Sequence, residues 1–342
     1  MRVPFDEVVA VLARVLRTAG MDDDRATRCA RLFAEASRDG VASHGLNRFP
    51  RFRRMIARGV VDLHATPERV SGTGSFERWE GRRGVGNLNA VDSMNRAIAL
   101  SRTHGMGCIA LANTNHWMRG GAYGWQAADA GAIAICWTNT LANMPPWGAS
   151  EPRLGNNPLV IAVPRTRGHV VLDMAMSQFS VGALIAHARR QEPLPIEGGF
   201  DTEGRATRDA RAILDSARLL PIGAWKGSGL SLMLDLLAAA LSGGHATREI
   251  PRDPEEETGL SQVFIAFDPA AIGSATDIDR LADAVVDYVT TGARRAEETD
   301  AAQERDRAQV RYPGAHVLAE RERSLREGVL VIEEVWDEIR GM

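Results

Sequence analysis

The segment Ser43–Arg48 places a histidine four residues before an arginine. The unperturbed pKa of histidine lies near neutrality, so His44 could give or take a proton during a reaction. The planar guanidinium of Arg48 could hold a carboxylate through two parallel hydrogen bonds. A proton donor beside a carboxylate clamp suits the reduction of a 2-oxo acid. From the spacing alone, a surface histidine and a surface arginine at a helix start is the commoner interpretation.

A second polar segment, Asn113–Gly124, directly follows a predicted buried strand. Loops at the carboxyl ends of strands are frequent ligand sites in α/β sheets. Asn115, His116 and Arg119 are therefore candidates for a site, and the glycines among them would allow close backbone approach. A polar, well hydrogen-bonded connection is the alternative.

Asp173 lies at the end of the predicted strand Val170–Met174. A carboxylate that emerges from a buried strand has to be paired or hydrogen-bonded. It could orient an imidazole, as carboxylates do in catalytic pairs, and we expect that imidazole to be His44. The alternative is an aspartate that caps the next helix.

A glycine-rich turn at Trp225–Gly229 precedes the apolar helix predicted over Leu230–Leu241. Free N–H groups at the start of this helix, with Lys226 beside them, could hold the phosphates of a dinucleotide. Neither a P-loop nor a G-x-G-x-x-G fingerprint is present, and Gly81, Gly84 and Gly86 follow no clear strand. The long stretch 138–158 has almost no periodic pattern and is predicted to be an ordered loop that lines a site.

Helices and short apolar strands alternate along the chain, which predicts an α/β sheet core. The expected strands are the runs at 109–112, 132–137, 159–163, 170–174 and 262–267, and the expected helices cover 5–38 (as two), 87–104, 121–130 and 228–242. Helical sequence at both ends suggests a terminal layer, 1–75 with 295–342, that carries His44. Residues 76–294 would then form a central α/β domain. The charge-rich stretch Arg294–Arg311 is predicted to be a solvated helix or mobile connection.

Composition excludes several functional classes. The net charge of -3 over 342 residues gives no support for nucleic-acid binding. The sequence contains no apolar run of about 18 residues, so no membrane span is predicted. Three scattered cysteines and an amphipathic, non-signal N-terminus fit a protein of the reducing cytoplasm. The eight histidines show no H-x-x-x-H pair, and we predict no metal site.

Longer stretches resemble the type 2 malate/L-lactate dehydrogenases over nearly the whole chain. They are the segments 43–52, 115–121, 123–128, 136–139, 144–149 and 225–229. The resemblance implies an α/β fold that binds a nicotinamide cofactor on a large sheet domain without a Rossmann fingerprint. The run His116-Trp-Met-Arg-Gly-Gly is typical of the branch that acts on a diketo sugar acid. The alternatives are malate, lactate, sulfolactate or ureidoglycolate dehydrogenation, cyclic-imine carboxylate reduction, or a non-catalytic nucleotide-binding protein.

Residue by residue, the resemblance implies that His44 donates the proton, that Arg48 contacts the substrate carboxylate and that His116 lies in the same pocket. It implies cofactor contacts at Gly168, His169, Val170, Val171, Leu172, Met174, Ala175, Trp225, Lys226, Pro313, Gly314 and Ala315. The expected cofactor is NAD, with NADP as the alternative because Ala315 replaces the charged residue usual after Pro-Gly. The resemblance further implies a homodimer with its sites near the subunit interface.

Overall fold

The two ends of the chain fold together. In the computed structural model, which describes residues 1–291 and 310–342, strand β1 (Arg2–Val3) pairs antiparallel with β11 (Val329–Leu330). The helices of this layer are α1 (Phe5–Thr18), α2 (Asp23–Arg38), α3 (Phe49–Ala57) and α12 (Glu333–Arg340). They share one apolar core in which Phe33 meets Phe49 edge to face at 5.2 Å and Trp336 is fully buried. Both ends of the described chain therefore contribute to one helical layer.

These helices follow directly from the sequence pattern. Val8, Leu12, Val15 and Leu16 recur at helical spacing in α1 and are all buried. Asp23 and Asp24 begin α2, where negative charge is favoured by the helix dipole.

A mixed sheet of seven strands forms the centre, in the order β2-β3-β4-β10-β5-β6-β7. Its strands are β2 (Glu68–Thr73), β3 (Phe76–Glu80), β4 (Met106–Asn115), β5 (Ile133–Thr138), β6 (Leu159–Val163), β7 (Val170–Met174) and β10 (Thr258–Phe267). The β3–β4 pair is parallel, and the other neighbouring pairs are antiparallel. The five predicted strands all lie in this sheet, so the α/β class is confirmed.

Side chains of the central strands alternate between two cores. In β4, Ile109 and Leu111 face one core, whereas Cys108 and Ala110 face the other. The first core is covered by α4 (Gly86–His104) and α5 (Gly121–Asp129). The second is covered by α6 (Val181–Arg190), α7 (Ala210–Ser216) and α8 (Trp225–Ser242). The remaining elements are the hairpin β8 (Gly199–Phe200) with β9 (Ala206–Thr207) and the helices α9 (Pro269–Ile272), α10 (Ala275–Thr290) and α11 (Ala315–Glu327).

Two strands of the central sheet, β2 and β3, were not foreseen, and they affect the proposed domain boundary. The boundary at 75/76 falls between β2 and β3, which pair antiparallel, so β2 belongs to the sheet rather than to the terminal layer. The sequence signal was weak because every residue of β2 is exposed.

The prediction for Arg294–Arg311 lies almost entirely outside the described residues.

Two further features concern the chain as a whole. All three cysteines are free and buried. Among residues 1–291 and 310–342, we find no helix with the length and hydrophobicity needed to cross a membrane.

Candidate active site

His44 is held on a tight turn that follows α2. Two short 3₁₀ turns, Ala42–His44 and Leu46–Arg48, flank Gly45. The Ser37 hydroxyl accepts a hydrogen bond of 2.8 Å from the Leu46 N–H, and a Cβ atom on Gly45 would lie only 2.2 Å from that oxygen. Glycine is therefore required for the turn to pack against the end of α2. The Nδ1 atom of His44 lies 3.0 Å from the hydroxyl of Ser43.

His116 lies beside His44. The two imidazole rings are stacked, with centroids 5.9 Å apart and planes 22° from parallel. The Nδ1 atom of His116 accepts a hydrogen bond of 3.0 Å from the Met118 N–H, so the neutral ring carries its proton on Nε2. Gly86 lets α4 approach this loop, because a Cβ atom there would lie 2.3 Å from the carbonyl oxygens of Asn115 and His116. The glycine cluster does follow a strand, the unforeseen β3.

Arg48 is oriented by a carboxylate that sequence reasoning missed. Its Nη2 lies 3.3 Å from Oε2 of Glu257, which is only 3% exposed, and the other oxygen of Glu257 accepts a 3.2 Å hydrogen bond from the Leu141 N–H. Nε of Arg48 is buried and has no hydrogen-bond partner among the described residues. Glu257 ends the acidic run Glu255–Glu257, which in sequence looks like a solvated charge cluster.

Burial and the neighbouring positive charges keep the imidazoles neutral. Burial, then the positive charges of Arg48 and Arg119, lower the pKa of His44 from 6.5 to about 4. Burial, Arg48 and His44 hold the pKa of His116 well below its usual value. Burial lowers the pKa of Arg48 to about 10, although Glu257 opposes this shift, so the guanidinium remains charged near neutrality. The site thus combines neutral imidazoles with fixed positive charge, which favours an anionic ligand.

Asp173 does not make the contact predicted for it. Its Oδ2 accepts a 2.7 Å hydrogen bond from the Gly121 N–H at the start of α5, whereas the polar neighbour of His44 is Ser43. The first N–H groups of a helix lack partners within the helix, which explains why the carboxylate is used here. Asp173 is also exposed to solvent. The hypothesis that it supports His44 is corrected accordingly.

The three segments predicted to contact the cofactor meet along the edge strand β7. At one end, the Val171 N–H donates a 2.9 Å hydrogen bond to the carbonyl of Pro313, and Gly314 packs against the backbone of His169. At the other end, the Ile222 N–H donates a 2.8 Å bond to the carbonyl of Met176, which brings the Trp225 turn to the strand. Residues Gly168–Ala175 therefore lie between the two predicted turns.

The Trp225 turn differs from the predicted one. Helix α8 begins at Trp225, so Gly227 and Gly229 lie inside its first turns rather than in a preceding loop. Gly227 permits this, because a Cβ atom there would meet the Ile222 carbonyl at 2.2 Å. The Trp225 side chain is 66% exposed, and Lys226 is exposed as well.

The stretch between β5 and β6 is an ordered loop, as predicted. Thr140 donates its N–H to Oδ1 of Asn157 at 3.0 Å, and the Asn157 amide donates to the Ser231 carbonyl at 2.9 Å. Glu257 joins this loop to the Arg48 side chain through Leu141.

Comparisons with known proteins agree with this architecture. The family model for malate/L-lactate dehydrogenases matches residues 3–340. The 2,3-diketo-L-gulonate reductase of Escherichia coli O139:H28 is 43% identical over 342 residues, which cover 100% of both chains. Two solved structures are also similar. The δ1-piperideine-2-carboxylate reductase of Pseudomonas syringae is 28% identical (TM-score 0.85, 100% and 99% of the chains covered). The sulfolactate dehydrogenase of Methanocaldococcus jannaschii is 25% identical (TM-score 0.88, 99% and 95%).

The match spans the terminal layer, the sheet and every candidate site residue. On this evidence the chain belongs to the malate/L-lactate dehydrogenase family of oxidoreductases.

Proposed function

We propose that the chain reduces the C2 ketone of 2,3-diketo-L-gulonate to the alcohol, which gives 3-dehydro-L-gulonate. The observation that carries the proposal is the stacking of His44 on His116, with the charge of Arg48 close enough to lower the pKa of His44: a candidate proton donor next to a fixed cation. The full-length similarity to reductases of that name supports the choice of a sugar acid.

A nicotinamide cofactor fits the residues along β7. The strand lies between the Pro313–Ala315 turn and the start of α8, where an exposed indole and an exposed ammonium, Trp225 and Lys226, are available to a planar ring and to phosphate. We propose that these segments hold NADH, with NADPH as the alternative. When bound, the cofactor supplies the hydride that adds to C2.

Arg48 would hold the C1 carboxylate of the substrate. Its guanidinium has one carboxylate partner, Glu257, at 3.3 Å, while its Nε atom has no partner among the described residues. Positioning of this kind can supply much of a rate enhancement.

His44 would give a proton to the oxygen at C2, so that the carbonyl becomes a hydroxyl group. Ser43 lies against Nδ1 and leaves Nε2 for the substrate. The substrate carboxylate at Arg48 would offset one of the positive charges that lower the pKa of His44. The substrate would therefore help the enzyme to acquire the proton that it later donates.

A substrate panel with both cofactors tests the proposal. Rates of NADH and NADPH oxidation would be measured with 2,3-diketo-L-gulonate, oxaloacetate, pyruvate, sulfopyruvate and Δ1-piperideine-2-carboxylate. We expect the largest kcat/KM with the diketo sugar acid, and a loss of about 10²- to 10⁴-fold in kcat for His44→Gln. A larger kcat/KM with another acid would replace the substrate, and full turnover by His44→Gln would remove the proton donor.

We also propose that the chain forms a homodimer through α8. One side of this helix exposes large apolar residues that no other part of the described chain covers, namely Leu230, Leu232, Met233, Leu236 and Leu237. An apolar patch of this kind usually marks an interface. Sedimentation should give a dimer for the wild type, and Leu236→Glu with Met233→Lys should give monomers. A monomeric wild type would refute this proposal.

A further inference from the structure

Asp39 is a buried carboxylate bound by three arginines. It is 1% exposed. Arg321 donates from Nε and Nη2 at 3.0 and 2.7 Å, Arg119 donates from Nη1 at 2.6 Å, and Arg38 donates from Nε at 2.7 Å. Charge-assisted bonds of this kind are among the strongest polar contacts in proteins.

The three arginines come from parts of the chain that meet around the candidate site. Asp39 ends α2 just before the His44 turn, and Arg119 lies in the loop that also carries His116. Arg321 belongs to α11, which begins directly after the Pro313–Gly314 turn beside β7. Asp39 therefore ties the proton-donor turn, the His116 loop and a cofactor segment to one carboxylate.

Helix α11 packs closely against the residues that flank Asp39. Gly40 has a φ of +82°, and a Cβ atom there would lie 3.3 Å from Cγ of Glu320 on α11. The guanidinium of Arg321 also lies over the Trp125 ring of α5, 4.5 Å from its centroid. A substitution that weakens this cluster would therefore shift α11 relative to the His44 turn.

The cluster also sets the charge beside His44. The titratable and charged groups around Asp39 are Glu35 and Arg38 of α2, Arg119 of the loop, and His316, Glu320 and Arg321 of α11. The groups that face His44 are Arg48, Arg119 and His116. The neighbouring arginines, against the effect of burial, lower the pKa of Asp39 to about 2, so it stays ionised and partly offsets Arg119.

We propose that Asp39 is a positioning residue for the reaction: it holds Arg119 and α11 against the His44 turn, so that the proton donor and the cofactor strand keep their relative placement. The inference rests on the proposed function. It concerns a residue whose side chain is bound by arginines, through which it would act.

The test compares Asp39→Asn with a matched control, Glu77→Gln. Glu77 is also a buried carboxylate bound by an arginine, since Arg96 donates to it at 2.6 and 3.0 Å, but its partners include no candidate site residue. For each variant, kcat, the KM of both substrates, the Kd of NADH by fluorescence and the pH profile of kcat/KM would be measured per folded molecule.

For Asp39→Asn we expect kcat/KM to fall about 10- to 100-fold, as small misplacements of reacting groups do. We also expect weaker NADH binding and a high-pH limb of the profile that moves to lower pH, because Arg119 then opposes protonation of His44 more strongly. Glu77→Gln should lower thermal stability and leave all of these quantities unchanged. An Asp39→Asn enzyme with wild-type constants and profile would overturn the inference.

If Asp39→Asn does not fold, Arg321→Gln decides, because it removes two of the four bonds at a side chain that is 23% exposed. It should weaken NADH binding and lower kcat/KM, and unchanged values would overturn the inference. Failure of the proposed function is a separate outcome, in which the wild-type enzyme itself neither binds NADH nor reduces any acid of the panel.

Discussion

The substitution Arg48→Gln tests the electrostatic design of the site. Arg48 is the larger of the two charges that oppose protonation of His44, after the effect of burial. Glutamine removes the charge and keeps a polar amide, although on a shorter side chain. We expect the pKa of His44 in the free enzyme to rise, while the KM for a 2-oxo acid also rises because the carboxylate clamp is lost.

The expected size follows from the limits set by the structure. A pKa of about 4 leaves about one His44 in a thousand protonated at pH 7, compared with about a quarter at the usual 6.5. Burial and Arg119 remain in the variant, so its pKa should lie between these two values. The full interval corresponds to about 3 kcal/mol of protonation free energy.

The assay is a histidine NMR titration, in which the His44 signal is identified by its absence from His44→Gln. Arg51→Gln is the matched control, because Arg51 is not among the groups that shift the pKa of His44 although it affects His116. Calorimetry in two buffers would then measure proton uptake when a non-reactive carboxylate analogue binds to the wild type.

Two results would refute this reasoning. The first is an unchanged His44 pKa in Arg48→Gln, which would mean that the two groups do not interact. The second is binding of the carboxylate analogue to the wild type without proton uptake below pH 7. That result would mean that substrate binding does not promote protonation of His44.

Three further predictions concern the same region. Because folding lowers the pKa of His44, the unfolded chain binds this proton more readily than the folded chain. The free energy of unfolding should therefore fall by up to about 3 kcal/mol as the pH drops from about 6.5 to 4. In denaturant titrations, His44→Gln should flatten this pH dependence. Glu257→Gln removes the negative charge beside Arg48, so the Arg48 charge opposes protonation of His44 more strongly. The kcat for reduction should then fall roughly tenfold. The KM of the acid should not rise, and a raised KM in steady-state kinetics would contradict this. Gly86→Ala forces a methyl group onto the Asn115 and His116 carbonyls and should lower stability by about 1–3 kcal/mol in thermal melts, and an unchanged Tm would count against the packing.

Local pattern was enough for most of the elements. The two N-terminal helices have apolar residues at helical spacing, five central strands are short apolar runs, and the structure contains all of them. Strands β2 and β3 lack that signal, because β2 is wholly exposed and its pairing with β3 depends on β4 alongside. The start of α8 was misjudged because glycine usually breaks helices, whereas here the Ile222 carbonyl leaves no room for a side chain at Gly227.

The sequence by itself determined which kinds of reactive side chain the site contains. His44 with Arg48 and the loop around His116 stand out because their residue types suit proton transfer and anion binding at short spacing. Long matching segments then indicated the family. Neither kind of signal depends on contacts between distant parts of the chain.

Only the tertiary structure decided which groups act on one another. Glu257 reaches Arg48 across 209 positions, and Arg321 reaches Asp39 across 282. Asp173 contacts the start of α5 instead of an imidazole, because the Gly121 N–H, which has no partner within the helix, donates a 2.7 Å hydrogen bond to it. Such partners are chosen by distance in the folded chain, which spacing along the sequence does not encode.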